Sequence, residues 1–259
     1  MLLQLKQKNL RLYLFAWHVL ISVIIAVGVG VLVFWLWFPY PYQYLTRGLN
    51  LFLLIIVVDV VCGPLITLLL ANPKKSKKEL TLDLTLVAII QLMALCYGIY
   101  TLEKARPVLM SFERDRMTLV LKSEIDWSDI DNAPKELKVI PLVGVNKIGI
   151  RRAENEQEFF ESVNLSMEGV EPSVRPSWWR SYNEVIPEIQ EKMKSINNID
   201  RSKLSDKQIQ ELDKVIAKSG VSSDELYYLP FTSTLNKGWI VLMDKETDLV
   251  GYVNIDGFN

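Results

Sequence analysis

Apolar residues run almost without interruption through three stretches of the first hundred positions, Leu12 to Phe38, Leu49 to Leu70 and Leu80 to Leu102. About 20 residues of helix cross a hydrocarbon core of roughly 30 Å, so each stretch is long enough to span a bilayer. The first, about 27 residues, would extend about 40 Å as a helix, so it either tilts or leaves its first turn at the interface. It runs into Phe34-Trp35-Leu36-Trp37-Phe38-Pro39-Tyr40-Pro41-Tyr42. That ending lacks the small-residue cleavage site of a signal peptide and reads as an interfacial aromatic belt whose prolines stop the helix.

Beyond about Glu103 the period changes. Val108, Met110 and Phe112, then Met117, Leu119 and Leu121, alternate around Glu113-Arg114-Asp115-Arg116, which predicts a β-hairpin. Trp239 to Met243 and Leu249 to Ile255 predict a second hairpin, and Val139 to Val143 a further strand. Ser205-Asp206-Lys207-Gln208 has capping-box spacing, Leu204 and Ile209 suit a hydrophobic staple, and Gly220 follows, so a helix is expected over 205–219. Helices are also expected over 154–167 and 182–196, the latter with Pro187 near its first turn. The expected fold is therefore a membrane protein, with three transmembrane helices followed by an α+β domain over 103–259.

Charge orients the chain. Lys6, Lys8 and Arg11 in segment 1–11 and Lys74, Lys75, Lys77 and Lys78 in loop 72–79 are basic flanks, whereas the loop between the first two spans offers only Arg47. Basic flanks stay in the cytoplasm, so three crossings place the C-terminal domain on the opposite side, the periplasm in a bacterium. Up to Leu102 there are 8 Lys/Arg against 3 Asp/Glu, and from Glu103 onward 21 against 27, so the outer domain is acidic. The single histidine, His18, and both cysteines, Cys62 and Cys96, precede it. That excludes a histidine triad, a cysteine nucleophile, a Cys/His zinc site and a disulfide framework from the outer domain.

The spans carry polar positions that a plain anchor lacks. His18, Ser22, Ala26 and Gly30 recur every fourth residue, as do Asp59, Gly63 and Thr67, and Pro64 follows Gly63. Such stripes let helices approach closely, either the three helices of this chain or a helix of another protein. An aspartate at mid-span costs about 2.5–3.5 kcal/mol on insertion, which the apolar residues around it outweigh, and it must face protein. Gln91 lies at a similar depth and is a candidate donor to Asp59. Outside, chemistry is scarce. Asp126, Asp129 and Asp131 lack the glycine and distal glutamate of an EF-hand loop, and Gly144 and Gly149 fit no phosphate-binding spacing. Trp178 and Trp179, with Arg106 and Pro107 at the start of the domain, are candidates for a partner-facing patch; domain core is the alternative place for the tryptophans.

Several runs, in order, resemble the TfpX/TfpZ type IV pilin accessory family. They are His18-Val19-Leu20-Ile21-Ser22, Val33 to Pro39, Asp59-Val60-Val61-Cys62-Gly63-Pro64, Pro73-Lys74-Lys75, Gln91-Leu92 with Tyr97-Gly98, Ala105-Arg106-Pro107-Val108 and Phe112 to Arg116. The resemblance is dense over the first half and thins to Glu168-Gly169-Val170-Glu171, Leu229-Pro230-Phe231 and Val241-Leu242-Met243-Asp244 beyond it; Cys62 stands where an aliphatic residue is expected. It implies a bacterial inner-membrane protein without enzymatic activity or cofactor. Its implied partners are a type IV pilin, which it binds and stabilises, other pilus assembly components and the bilayer, but not nucleic acid. The competing classes are a membrane-anchored periplasmic enzyme with a carboxylate or Ser/Lys site and a sensor or transporter subunit.

Overall fold

The computed structural model describes residues 2–72 and 74–258, with side chains from Leu10 onward. The Lys6 and Lys8 side chains, Pro73 and Asn259 therefore lie outside the described residues. The chain divides into two compact units, Met1–Arg106 and Pro107–Asn259.

The first unit is helical. Helix α1 (Leu2–Leu32) continues through a π-helical turn, Val33–Trp37, and ends at Phe38 ahead of Pro39. Helix α2 (Gly48–Leu70) changes register twice, from α over Gly48–Ile56 to π over Val57–Cys62 and back to α over Gly63–Leu70. Helix α3 (Lys77–Ala105) begins with a capping box in which Ser76 N–H donates to Glu79 Oε2 at 2.8 Å and Glu79 N–H to Ser76 Oγ at 3.2 Å. It starts ahead of the expected Leu80 because this cap satisfies the free N–H groups of the first turn. All three helices are long and apolar enough to cross a membrane. The expected aromatic belt splits. Trp35 and Tyr40 face outward, whereas Phe38 packs into a cluster with Val33, Phe52 and Leu102.

Among its described residues, the second unit is one mixed sheet of eight strands with three α-helices. Strands β1 (Pro107–Glu113), β2 (Arg116–Leu121), β3 (Asn146–Ile150), β4 (Trp179–Ser181), β6 (Tyr227–Thr232), β7 (Trp239–Met243) and β8 (Leu249–Val253) lie in the order β4-β3-β1-β2-β6-β7-β8, and β5 (Lys194–Ser195) pairs with β6. The first hairpin closes as expected, Glu113 opposite Arg116, with Arg114 at φ 62° in its turn. Its alternation does not mark one wet face, however. Every residue of β1 is buried: β2 (antiparallel) and β3 (parallel) flank it, and the helix Tyr182–Lys192 and the turn Pro172–Val174 pack against it.

Helix α4 is Glu156–Met167 with Asn155 as its cap, α5 is Tyr182–Lys192 with Pro187 in its second turn, and α6 is Asp206–Ser219. Helix α5 stops short of the expected Ile196 because Lys194 and Ser195 leave it to pair with β6. It packs on β3 where Gly149 leaves room, since a Cβ there would lie 2.3 Å from Val185 Cγ1. Helix α6 keeps its expected boundaries, with a capping box between Ser205 and Gln208 and Gly220 in the left-handed region at φ 69°. Its Leu212 is fully buried among Leu226, Tyr228, Ile240 and Leu242.

One strand expectation fails, and one strand was not expected. Val139 to Val143 forms no strand, and Val139 is 77% exposed; the strand is the next segment, β3. Strand β6 carries no clear sequence signal because Pro230 lies inside it, and proline removes a ladder donor. In the sheet, Leu229 and Pro230 fall in the gap between the residues that pair with β5 and those that pair with β2. A ladder donor is least needed there. Leu212→Ala is expected to cost about 2–5 kcal/mol through a cavity, and Ser205→Ala about 1 kcal/mol through the lost cap. Urea unfolding of the detergent-solubilised protein, followed by tryptophan fluorescence, measures both.

Candidate functional site

The polar residues of the helical unit converge on α2. His18 Nδ1 lies 2.6 Å from Thr67 Oγ1, Ser22 is buried, and Gly30 lies against the Phe52 ring. The two stripes of small and polar residues thus meet each other along α1 and α2, with Ala26 half-buried between Ser22 and Gly30. Pro64 is buried as well, and its chemistry explains the next contact.

In the π-helical register Gly63 N–H donates to the Val58 carbonyl, five residues back. The next donor in that register would be Pro64, aimed at the Asp59 carbonyl, and proline has no N–H. Gln91 of α3 fills the vacancy, its Nε2 donating to the Asp59 carbonyl at 3.1 Å. The amide reaches this oxygen only across Gly63, where a Cβ would lie 1.8 Å from Gln91 Nε2. Gln91 therefore serves the Asp59 main chain and not, as expected, its carboxyl. Asp59 is 7% exposed and its Oδ1 has no hydrogen-bond partner.

The outer unit holds a cleft of about 780 Å³ lined by Glu113, Arg114, Arg151, Phe159, Phe160 and Trp178, among others. Arg151 is fixed on three sides. Its Nη groups grip the Glu158 carboxylate, its Nε donates to the Ser177 carbonyl at 3.0 Å, and its guanidinium lies 4.5 Å from the centre of the Trp178 ring. These bonds, with the Glu154 N–H, hold the Glu158 carboxyl down at about 2. Phe159 and Phe160, 51% and 62% exposed, leave an aromatic wall open to solvent. Two successive large aromatics on a largely polar helix mark an apolar face that is available for contact. That pair is the one local sign of this cleft in the sequence.

The four residues expected to form an outer patch are all buried. Arg106 pairs with Glu103 (Nε to Oε1, 3.3 Å), and Pro107 begins β1. Trp179 Nε1 donates to the Ser173 carbonyl at 2.9 Å, and both tryptophans belong to the core with Ile148 and Ile150. Burying their large apolar area outweighs presenting it to water. Trp178 still reaches the cleft wall. Of the three aspartates, Asp129 accepts from Ser177 N–H at 2.7 Å and Asn132 Nδ2 at 2.8 Å, and Asp126 from Ser128; both carboxylates brace turns.

The sequence profile of the fimbrial assembly protein FimB family matches residues 6–47. The chain is 34% identical over 209 residues to a fimbrial assembly protein of serogroup E1 of Dichelobacter nodosus, covering 81% of each chain. It belongs to the fimbrial assembly protein family. A serogroup I fimbrial assembly protein of the same organism is 33% identical over 81% of each chain, and one of serogroups C1 and C2 is 43% identical over 84 residues. No solved structure matches. These names describe assembly and not catalysis. The profile match covers the α1 stripe and the aromatic turn after it, so family membership is registered in the helical unit as well as along the chain.

Two expectations follow for this fimbrial assembly protein. Gln91→Leu should lower the thermal midpoint in detergent by an amount corresponding to about 1 kcal/mol. The loss should shrink when combined with Pro64→Ala, whose restored N–H can serve the chain instead; strict additivity would mean that Gln91 does not answer for the proline. The second concerns Glu113. Burial, reinforced by the Glu171 carboxylate, raises its pKa from the ordinary 4.5 to about 6, against a Ser173 hydrogen bond and Arg114 and Arg116. The folded state holds this proton where the unfolded chain has lost it, so stability falls as pH rises from 4.5 to about 6 and stays lower above. Glu113→Gln should therefore raise stability by about 1–2 kcal/mol at pH near 7.5 and leave it unchanged near pH 4, measured as unfolding midpoints at both pH values.

Proposed function

We propose that this protein is an inner-membrane accessory protein of type IV pilus assembly, of the TfpX/TfpZ kind, which binds a pilin and stabilises it before polymerisation. The observation that carries the reading is the 34% identity to a fimbrial assembly protein over 81% of both chains. The three apolar helices and the separately folded second unit support it. The N-terminus and the 72–79 loop lie in the cytoplasm and the second unit in the periplasm, on the strength of the basic flanks.

A pilin in the same membrane offers one apolar helix and one outer head. Contacts to both would gain from the fixed geometry, since the second contact forms at high effective concentration once the first is made. The α1 and α2 stripes are spent on each other, so they supply the shape of the bundle more than a free face. The outer cleft, with exposed Phe159 and Phe160 beside Arg114 and Arg151, supplies the more individual surface. It is assigned to choosing among pilin heads.

The test is exchange of residues 107–259 with those of a related accessory protein, followed by steady-state pilin and surface pili for each pilin and chimera pair. Pilin preference should move with the outer unit, and deleting the gene should lower the cognate pilin several-fold. Preference that stays with the helices would reduce the outer unit to a scaffold, and pilin levels indifferent to the deletion would remove the pilin-stabilising role.

A further inference from the structure

An open groove with a polar end runs along the helical unit. Leu51, Leu54 and Val58 of α2 and Ala94, Tyr97 and Thr101 of α3 line about 200 Å³ along the seam between these antiparallel helices. Both sets keep the i, i+3, i+7 spacing of a single helix face. The floor is the close approach of α3 to α2 at Gly98, where a Cβ would lie 2.6 Å from Ile55 Cγ1. The rim is apolar and open, with Leu54 61% and Tyr97 72% exposed.

Asp59 closes the end of the groove beside Val58 and Ala94. Its Oδ1 is, among the described residues of the helical unit, the one buried side-chain oxygen without a hydrogen-bond partner. Gln91 donates to the Asp59 carbonyl, and His18 Nδ1 is bonded to Thr67. A carboxyl left unpaired in hydrocarbon is costly, so a donor arriving from outside the chain gains the whole of that deficit. A lipid chain matches the apolar rim but brings no donor. A membrane helix brings both, lying along the seam with its own side chain at the depth of Asp59.

We propose that the groove between α2 and α3 is the seat of the partner pilin's membrane helix, which donates a hydrogen bond to the Asp59 carboxyl from a hydroxyl, amide, amine or protonated acid side chain. This rests on the pilin-binding reading and adds the place and chemistry of the contact. The close helix approach at Gly98 sets the groove's depth, and the carboxyl sets the register in which a helix can enter.

The experiment introduces a photocrosslinking residue at Leu54 or Tyr97, in the groove, and at Val27 or Leu86, exposed positions away from it, in the full-length protein in its native host. Pilin adducts should form from the two groove positions and be weaker by about tenfold or more from the other two. Asp59→Leu should cut the groove adducts by about tenfold at equal protein abundance, while Asp59→Asn, which keeps an acceptor, should retain most of them. Should Asp59→Leu fail to accumulate, Ala94→Trp fills the groove without touching the carboxyl and should abolish the Leu54 adduct. Equal adducts from all four positions, lipid adducts alone at Leu54 and Tyr97, or groove adducts that survive Asp59→Leu and Ala94→Trp would overturn the assignment. If pilin still co-purifies in those cases, the accessory role stands and only the groove is wrong; if pilin neither co-purifies nor depends on the protein, the pilin reading fails with it.

Discussion

A main-chain carbonyl without a donor organises the helical unit. Pro64 cannot return a hydrogen bond to the π-helical turn before it, and in an apolar surrounding an unmet carbonyl costs far more than it does in water. Gln91 meets it at 3.1 Å, which locks α3 to α2 at one depth and one rotation. Gly63 is obligatory because the amide passes where its Cβ would stand. Once α2 is rotated this way, Thr67 faces His18 on α1, and the carboxyl of Asp59 is left at the end of the α2–α3 groove. The π-helical turn is thus the device that separates two oxygens of one residue, the carbonyl serving the bundle and the carboxyl Oδ1 left without a partner.

The outer unit depends on a different constraint, a central strand with no wet face. Because β1 is covered throughout, its neighbours on both sides must bring apolar surface, and Ile148, Ile150, Trp178 and Trp179 do so. Burying Trp178 carries Arg151 with it, since the guanidinium lies over the indole and is held there by Glu158. The cleft is therefore a consequence of core packing: the tryptophans are unavailable as a patch, yet one of them fixes the arginine that lines it. Glu113, at the end of the same strand, is the charge that this packing disfavours.

For a fimbrial assembly protein, these two constraints divide the work. The helical unit uses generic devices, small residues and shared hydrogen bonds, and is rigidly specified where its polar groups meet. The outer unit presents exposed aromatics and fixed charges, whose identity can vary without disturbing the sheet behind them. On the proposed pilin-binding reading, holding a membrane helix and choosing among outer heads have opposite requirements, which two separate compact units can meet independently.

The three long helices, the two hairpins and α6 were legible because their signals are local. Uninterrupted apolar residues need no distant partner to mark a span, alternation marks strands, and the Ser205 cap, its Gln208 and the terminal Gly220 lie within one helix. What the tertiary structure decided has its other half far along the chain. Gln91 answers a need created 32 residues earlier, at a carbonyl that no side-chain pattern reveals. Strand β6 tolerates Pro230 because of where β5 and β2 happen to pair, and Trp178 and Trp179 are core or surface according to what the sheet places over them. Sequence alone therefore determined which segments become long apolar helices, while the partner of each buried polar group was settled only by packing, because a hydrogen bond in a water-poor interior goes to whichever donor the fold brings within 3 Å or so of the vacant oxygen.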